Sequence, residues 1–139
     1  CALPISHLQV ETKGARGILS PNVALKKYVE QSAQLAATIS ALYTKDIELL
    51  RRAMQDLIIE PQRSALVTGY YDVKQAALNA GAISSTFSGS GPSLLAFCEN
   101  QVQAETVSQA MLAAFKAHDI AADHWISPIN PNGAYVITK

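Results

Sequence analysis

Two arginines, one threonine and a short serine–glycine loop are the residues of this 139-residue chain whose types could do chemistry together. The loop is Ser88-Gly89-Ser90-Gly91-Pro92. Gly89 and Gly91 lack a Cβ, so a ligand can approach the backbone closely there. Ser88 and Ser90 add hydroxyls. Successive N–H groups turned into one concavity make a nest for an anion or a carbonyl. Thr12 and Arg16 are four residues apart and share a face if their segment is helical. Arg63 closes the run Glu60-Pro61-Gln62-Arg63. Two guanidinium groups and a donor-rich loop suit a small anion, above all a carboxylate, which an arginine fork grips with two bonds. Spacing alone favours a blander reading, because a sequence motif cannot show convergence. In that reading Arg16 and Arg63 are surface residues paired with nearby acids, and the loop is an ordinary hairpin turn.

The elements that must position these residues follow from periodicity. Ile5-Ser6-His7-Leu8-Gln9-Val10 alternates like a strand. Thr12 to Leu19 reads as a short helix weakened by Gly14 and Gly17, with Glu11 or Thr12 near its N-cap. From Val23 to Tyr43, Leu25, Tyr28, Val29, Leu35, Ile39, Leu42 and Tyr43 recur at helical steps. That stripe is expected to face a core. Asp46 is the expected N-cap of a second helix from Ile47 to Ile58, and the two make an antiparallel hairpin. Pro61 is expected to end that helix. Helices are expected from Tyr70 to Ala80, with Gly81 as the C′ glycine, and from Val102 to His118. Strands are expected at Ile83–Phe87, Ser93–Cys98, Ile120–Ile126 and Ala134–Thr138. The order predicts one α+β domain over residues 1–139. It is ferredoxin-like and two-layered. An antiparallel sheet of four to five strands carries helices on one face, with the helical hairpin inserted after the first strand.

Composition excludes several functions. Apolar residues make up 49% and charged residues 16%, so the chain is globular. Eleven basic and eleven acidic residues balance with no basic run, which argues against nucleic acid. No apolar run approaches the ~20 residues of a membrane span, and no signal-peptide pattern is present. Cys1 and Cys98 form no CxxC pair, and His7, His118 and His124 lack metal-ligand spacing, so no metal site is indicated. The cysteines are expected to be small buried residues and the histidines to lie at the surface or at caps. The chain starts at Cys1 and enters an alternating run almost at once, so a processed or cut polypeptide is expected.

Four stretches carry a resemblance. Thr12-Lys13-Gly14-Ala15-Arg16-Gly17-Ile18-Leu19 resembles the T-x-x-A-R-x-x-L stretch of homoserine kinases, and Glu60-Pro61-Gln62-Arg63 resembles their E-P-x-R. Ser88-Gly89-Ser90-Gly91-Pro92-Ser93 resembles the S-G-S-G-P-[ST] motif, which is shared across the GHMP kinase superfamily. Asn130-Pro131-Asn132-Gly133-Ala134 resembles the turn before the family's last strand.

The resemblance implies the C-terminal domain of a homoserine kinase, without the N-terminal ATP-binding domain and its principal phosphate loop. The implied parent phosphorylates the hydroxyl of L-homoserine with ATP and Mg on the route to threonine, in the cytoplasm and as an expected homodimer. This chain alone is expected to be inactive. Arg16 and Arg63 are implied to hold the amino-acid carboxylate, with Thr12 near the reacting hydroxyl. Ser88, Gly89, Ser90 and Gly91 are implied to close the site beside the transferable phosphate. No side chain here is an obvious catalytic base. Two other readings stay open: another GHMP kinase acting on a sugar or isoprenoid alcohol, and a ferredoxin-like regulatory module that binds a free amino acid.

Overall fold

The computed structural model describes residues 1–133 and Val136. Its elements are β1 (Ala2–Ser6), α1 (Thr12–Gly17), α2 (Leu25–Thr44), α3 (Ile47–Ala53), α4 (Glu60–Arg63), a 3-10 turn (Ser64–Leu66), α5 (Tyr70–Asn79), β2 (Ser84–Phe87), β3 (Leu94–Phe97), α6 (Gln101–Ala117) and β4 (Ala122–Ile126). The four strands form one antiparallel sheet in the order β2-β3-β1-β4. Taking β1, α5, β2, β3, α6 and β4 in sequence gives the ferredoxin-like βαββαβ unit. Helices α1 to α4 are an insertion between β1 and α5. The expected α+β class and the inserted hairpin are therefore present. Of the strand expected at 134–138 only Val136 lies among the described residues, and it is exposed.

The register explains the core. Ala2 pairs with Ala96 and Ile126, and Ser85 pairs with Ala96, so these side chains share one face. Helix α6 lays Ala104, Val107, Met111 and Phe115 against that face, and α5 adds Tyr70, Val73 and Ala77; all seven are buried. Asn100 Oδ1 caps α6 by accepting from the Gln103 N–H at 2.9 Å. Asp46 Oδ1 caps α3 in the same way, accepting from Leu49. Gly81 follows α5 with φ +101°, where its N–H reaches the Leu78 carbonyl at 3.0 Å. Both cysteines are free and half-buried rather than fully buried. His7 and His118 lie at the surface, 3.0 and 2.7 Å from Asp123 and Asp72.

Three sequence expectations need correction. Strand β1 runs from Ala2 to Ser6 rather than from Ile5 to Val10. Leu8 and Val10 instead pack on the core from the connection that follows. Helix α3 stops at Ala53, short of Ile58. Polar side chains capture its continuation: Asp56 Oδ1 accepts from the Ile58 and Ile59 N–H groups, and Ser84 Oγ donates to the Met54 carbonyl. Glu60-Pro61-Gln62-Arg63 then opens its own short helix, because proline is tolerated in a first helical turn.

The third correction concerns α2. Its apolar stripe does not face a core of this chain. Leu25, Tyr28, Val29, Leu35, Ile39, Leu42 and Tyr43 are all exposed, Leu35 at 61%. The inward face is Gln31, Gln34, Ala37, Thr38 and Ala41, of which Ala41 alone is fully buried. Gln31 Nε2 donates to the Gln55 carbonyl, and Gln31 Oε1 accepts from the Leu57 N–H at 2.7 Å. These bonds, with packing on α3 around Ala41 and Leu50, hold the helix on its polar side. Leu35→Lys should therefore change unfolding stability by no more than about 0.5 kcal/mol, whereas Leu50→Ala should lose about 2–5 kcal/mol. Binding of a dye that reports exposed apolar surface should fall in Leu35→Lys. Denaturant melts and dye fluorescence check both, and a large loss in Leu35→Lys would place that side chain in a core.

Candidate functional site

The Ser-Gly loop joins β2 to β3 and is closed by the Ser88 N–H on the Ser93 carbonyl at 2.9 Å. The Gly91–Pro92 peptide is cis. Gly89 and Gly91 both take left-handed backbone, with φ of +66° and +85°. Among the described residues the N–H groups of Gly89 and Ser90 donate to no backbone carbonyl. Space differs between the two glycines. A Cβ on Gly89 would meet nothing within 4 Å, whereas one on Gly91 would lie 3.2 Å from the Phe87 ring. Phe87 in turn stacks on Tyr70, with centroids 4.3 Å apart. The loop thus rests on an aromatic floor anchored by α5.

Helix α1 meets this loop from the other side. Thr12 Oγ1 lies 3.5 Å from Ser90 Oγ. Arg63 bridges the two segments: its Nε donates to the Ala15 carbonyl at 3.3 Å and its Nη1 to the Gly89 carbonyl at 3.4 Å. Arg16 is the next residue after Ala15 and is exposed at the end of α1. Among the described residues its side chain makes no hydrogen bond or ion pair. Thr12, Arg63, Gly89 and Ser90 are thereby brought together. Ser88 and Gly91 belong to the same loop, and Arg16 flanks the Arg63 contact as a free cation.

The residues that hold Arg63 in place were not singled out from the sequence. Glu60 is 4% exposed. Its Oε1 pairs with Lys74 Nζ, and its Oε2 accepts from Thr86 Oγ1 at 3.1 Å. Gln62 Oε1 accepts from the Ser20 N–H at 2.7 Å, which ties the loop after α1 to α4. A signal for Lys74 was present: it lies four residues after Tyr70, on the side of α5 that otherwise turns inward. Tyr70 completes the surroundings. Its hydroxyl approaches Glu60 and Thr86 but is buried without a hydrogen-bond partner. Burial, then the Glu60 carboxylate, push its phenol far above the ordinary 10.0.

With this geometry in view, comparison with known proteins assigns the family. Residues 38–117 match the family described as GHMP kinases C terminal. The chain belongs to that family. The matched span holds Glu60, Arg63 and the Ser-Gly loop, while Thr12 and Arg16 lie before it. A homoserine kinase of Chlorobium phaeobacteroides (strain BS1) is 44% identical over 139 residues, and one of Chloroherpeton thalassium is 39% identical over 138. Each alignment covers 99% of this chain and 43% of the relative. The crystal structure of a homoserine kinase from Cytophaga hutchinsonii superimposes with a TM-score of 0.90 at 41% identity, covering 93% of this chain and 41% of that one. The chain thus spans less than half the length of the relatives it matches, and it is similar to them on both sides of the GHMP kinase segment.

Two expectations follow from the site. Alanine at Gly89 should add only the left-handed backbone penalty of about 1–2 kcal/mol. Alanine at Gly91 adds the collision with Phe87 and should destabilise the chain more, which thermal melts of the two variants will rank. Tyr70→Phe should be within about 1 kcal/mol of the parent or more stable, because it deletes a buried hydroxyl that makes no bond. A raised phenol pKa stabilises fully below the unfolded value near 10 and is lost as pH climbs above it. Tyr70→Phe should accordingly lose less stability between about pH 10 and 11 than the parent does. A steeper alkaline loss in the variant would show that folding does not raise the Tyr70 phenol pKa.

Proposed function

We propose that this chain is the substrate-holding C-terminal part of a homoserine kinase. That enzyme would transfer the γ-phosphoryl group of ATP to the hydroxyl of L-homoserine, giving O-phospho-L-homoserine. The observation that carries the reading is the Arg63 bridge, which joins the Ala15 carbonyl next to Arg16 with the Gly89 carbonyl of the Ser-Gly loop. It joins Arg63 to the loop that meets Thr12, with Arg16 one residue from the Ala15 carbonyl it bonds. A substrate with a carboxylate at one end and a hydroxyl at the other fits that sequence of groups. A sugar or an isoprenoid alcohol would leave the two guanidinium charges without a carboxylate.

Each residue then has a task. Arg16 and Arg63 hold the carboxylate by charge-assisted hydrogen bonds. Thr12 and Ser90 orient the substrate hydroxyl. The Gly89 and Ser90 N–H groups face the phosphoryl oxygens, which the missing Cβ of Gly89 lets come near. The substrate oxygen bonds to phosphorus as the bond to the ADP oxygen breaks, and the hydroxyl proton passes to a phosphoryl oxygen or to solvent. Such transfer rests largely on positioning and charge stabilisation, so no base is required of this chain. ATP supplies the phosphoryl group. Magnesium would travel with the ATP phosphates, held mainly by the rest of the kinase, and no step is routed through it here. The partner would be the remainder of the kinase, which would supply the nucleotide site. The same reading places the reaction on the route to threonine, in the cytoplasm, in a homodimeric enzyme. No helix among the described residues is long and apolar enough to cross a membrane.

In the full-length enzyme, Arg63→Lys should raise the homoserine KM roughly ten- to a hundredfold, because lysine keeps the charge but loses the planar fork. The ATP KM should change much less. Arg16→Lys should act in the same direction, and the double variant should fall short of additivity, since both residues serve one group. Steady-state kinetics against both substrates decide it, and an unchanged homoserine KM in both single variants would sink the carboxylate clamp.

A further inference from the structure

We infer that Lys74 is a positioning residue for Arg63, acting through the buried Glu60 carboxylate. This deepens the kinase reading and, for its consequence in catalysis, rests on it. Lys74 lies on α5, bonds no residue of the Ser-Gly loop, and belongs to no sequence motif. It is nonetheless joined to the site by an unbroken path. Lys74 Nζ pairs with Glu60 Oε1, Glu60 opens α4, and Arg63 ends the same single turn. From there Arg63 reaches the Ala15 and Gly89 carbonyls.

Burial makes the path stiff. The Glu60 side chain is 5% exposed and that of Lys74 is 20%. The second Glu60 oxygen is taken by Thr86 on β2, two residues before the loop begins. Helix α4 is one turn long and has no core stripe of its own, so apolar packing does little to fix its rotation. Turning it would pull a buried carboxylate from both partners, and breaking such a pair on one side leaves an uncompensated charge. The pair therefore sets the angle at which α4 presents Arg63. Lys74 and Glu60 bond neither the loop N–H groups nor Thr12, so their path to a ligand runs through Arg63, while Thr86 also leads into the loop along β2.

The test has two arms. On this chain, the Arg63 Nε–H signal, assigned by its disappearance in Arg63→Lys, is followed by nitrogen-15 NMR. In Lys74→Met its exchange with solvent should quicken on the order of tenfold, and in Lys74→Arg it should stay near the parent rate. In the full-length enzyme, Lys74→Met should raise the homoserine KM about tenfold with the ATP KM within about twofold, and Lys74→Arg should recover most of the loss. Should Lys74→Met fail to fold, Thr86→Val removes one hydrogen bond without stranding a charge and should give the same two changes at smaller size. A Lys74→Met protein with a lowered melting temperature, an unmoved Arg63 signal and an unchanged homoserine KM would reduce Lys74 to a structural residue and overturn the inference. If the parent enzyme fails to phosphorylate homoserine, the kinase reading falls, and the NMR arm still decides whether Lys74 positions Arg63.

Discussion

The arrangement of the site hangs on one buried carboxylate. Glu60 is surrounded by elements from three parts of the chain, and both of its oxygens are occupied, one by a cation from α5 and one by a hydroxyl from β2. An ion pair in such a place contributes little net stability against apolar residues of the same volume. What it contributes is direction. Leucine at 60 and methionine at 74 could fill the space, but they would accept several rotations of α4 equally well. A charge with two fixed partners accepts one. Arg63 inherits that orientation because it ends the same turn, and through its bonds to Ala15 and Gly89 it passes the orientation to α1 and to the Ser-Gly loop.

The frame around this centre was readable from the sequence wherever one side chain reports one event. The apolar residues of α5 and α6 recur at helical spacing and face the sheet. Asp46 and Gly81 mark helix ends for reasons confined to a few neighbouring residues. The Ser-Gly loop announces itself by composition. The parts that were not readable depend on polar captures that propensity does not weigh, some of them distant in sequence. Helix α3 ends early because Asp56 captures two N–H groups and Ser84 reaches back to Met54, thirty residues earlier. Propensity sees none of this, since Met54, Leu57 and Ile58 are good helix residues. Lys74 sits on the inward side of α5, but its partner Glu60 is fixed only when β2 and α4 fold around it.

Helix α2 teaches a different lesson. Its period is correctly read, and its stripe is real. The error lay in assuming that the apolar face must point into this chain. Gln31 shows why it does not. Two backbone groups beyond the end of α3, the Gln55 carbonyl and the Leu57 N–H, need partners, and one glutamine amide serves both. Pairing these two groups fixes α2 by its polar side, while an exposed leucine is a common sight on protein surfaces. The small side chains Ala37 and Ala41 then let α2 lie close to its neighbours on that same side, while the long apolar residues are turned outward.

Arg63 raises an apparent conflict, because a side chain already bonded to two carbonyls might seem unable to hold a ligand. Its donor count resolves this. A guanidinium offers five N–H groups in a planar fork. Two are engaged, one on Nε and one on Nη1, both directed to backbone oxygens. Both Nη2 hydrogens and one on Nη1 therefore remain, donors that a carboxylate can take. The bonds to Ala15 and Gly89 do not compete with such a ligand. They immobilise the guanidinium plane before a ligand arrives, so less side-chain freedom is lost on binding. On the proposed reading they also join a bound carboxylate to the loop, because the guanidinium that would hold it bonds the Gly89 carbonyl. On the proposed kinase reading, the residue that would grip one end of a substrate is also bonded to the loop whose groups would meet the other.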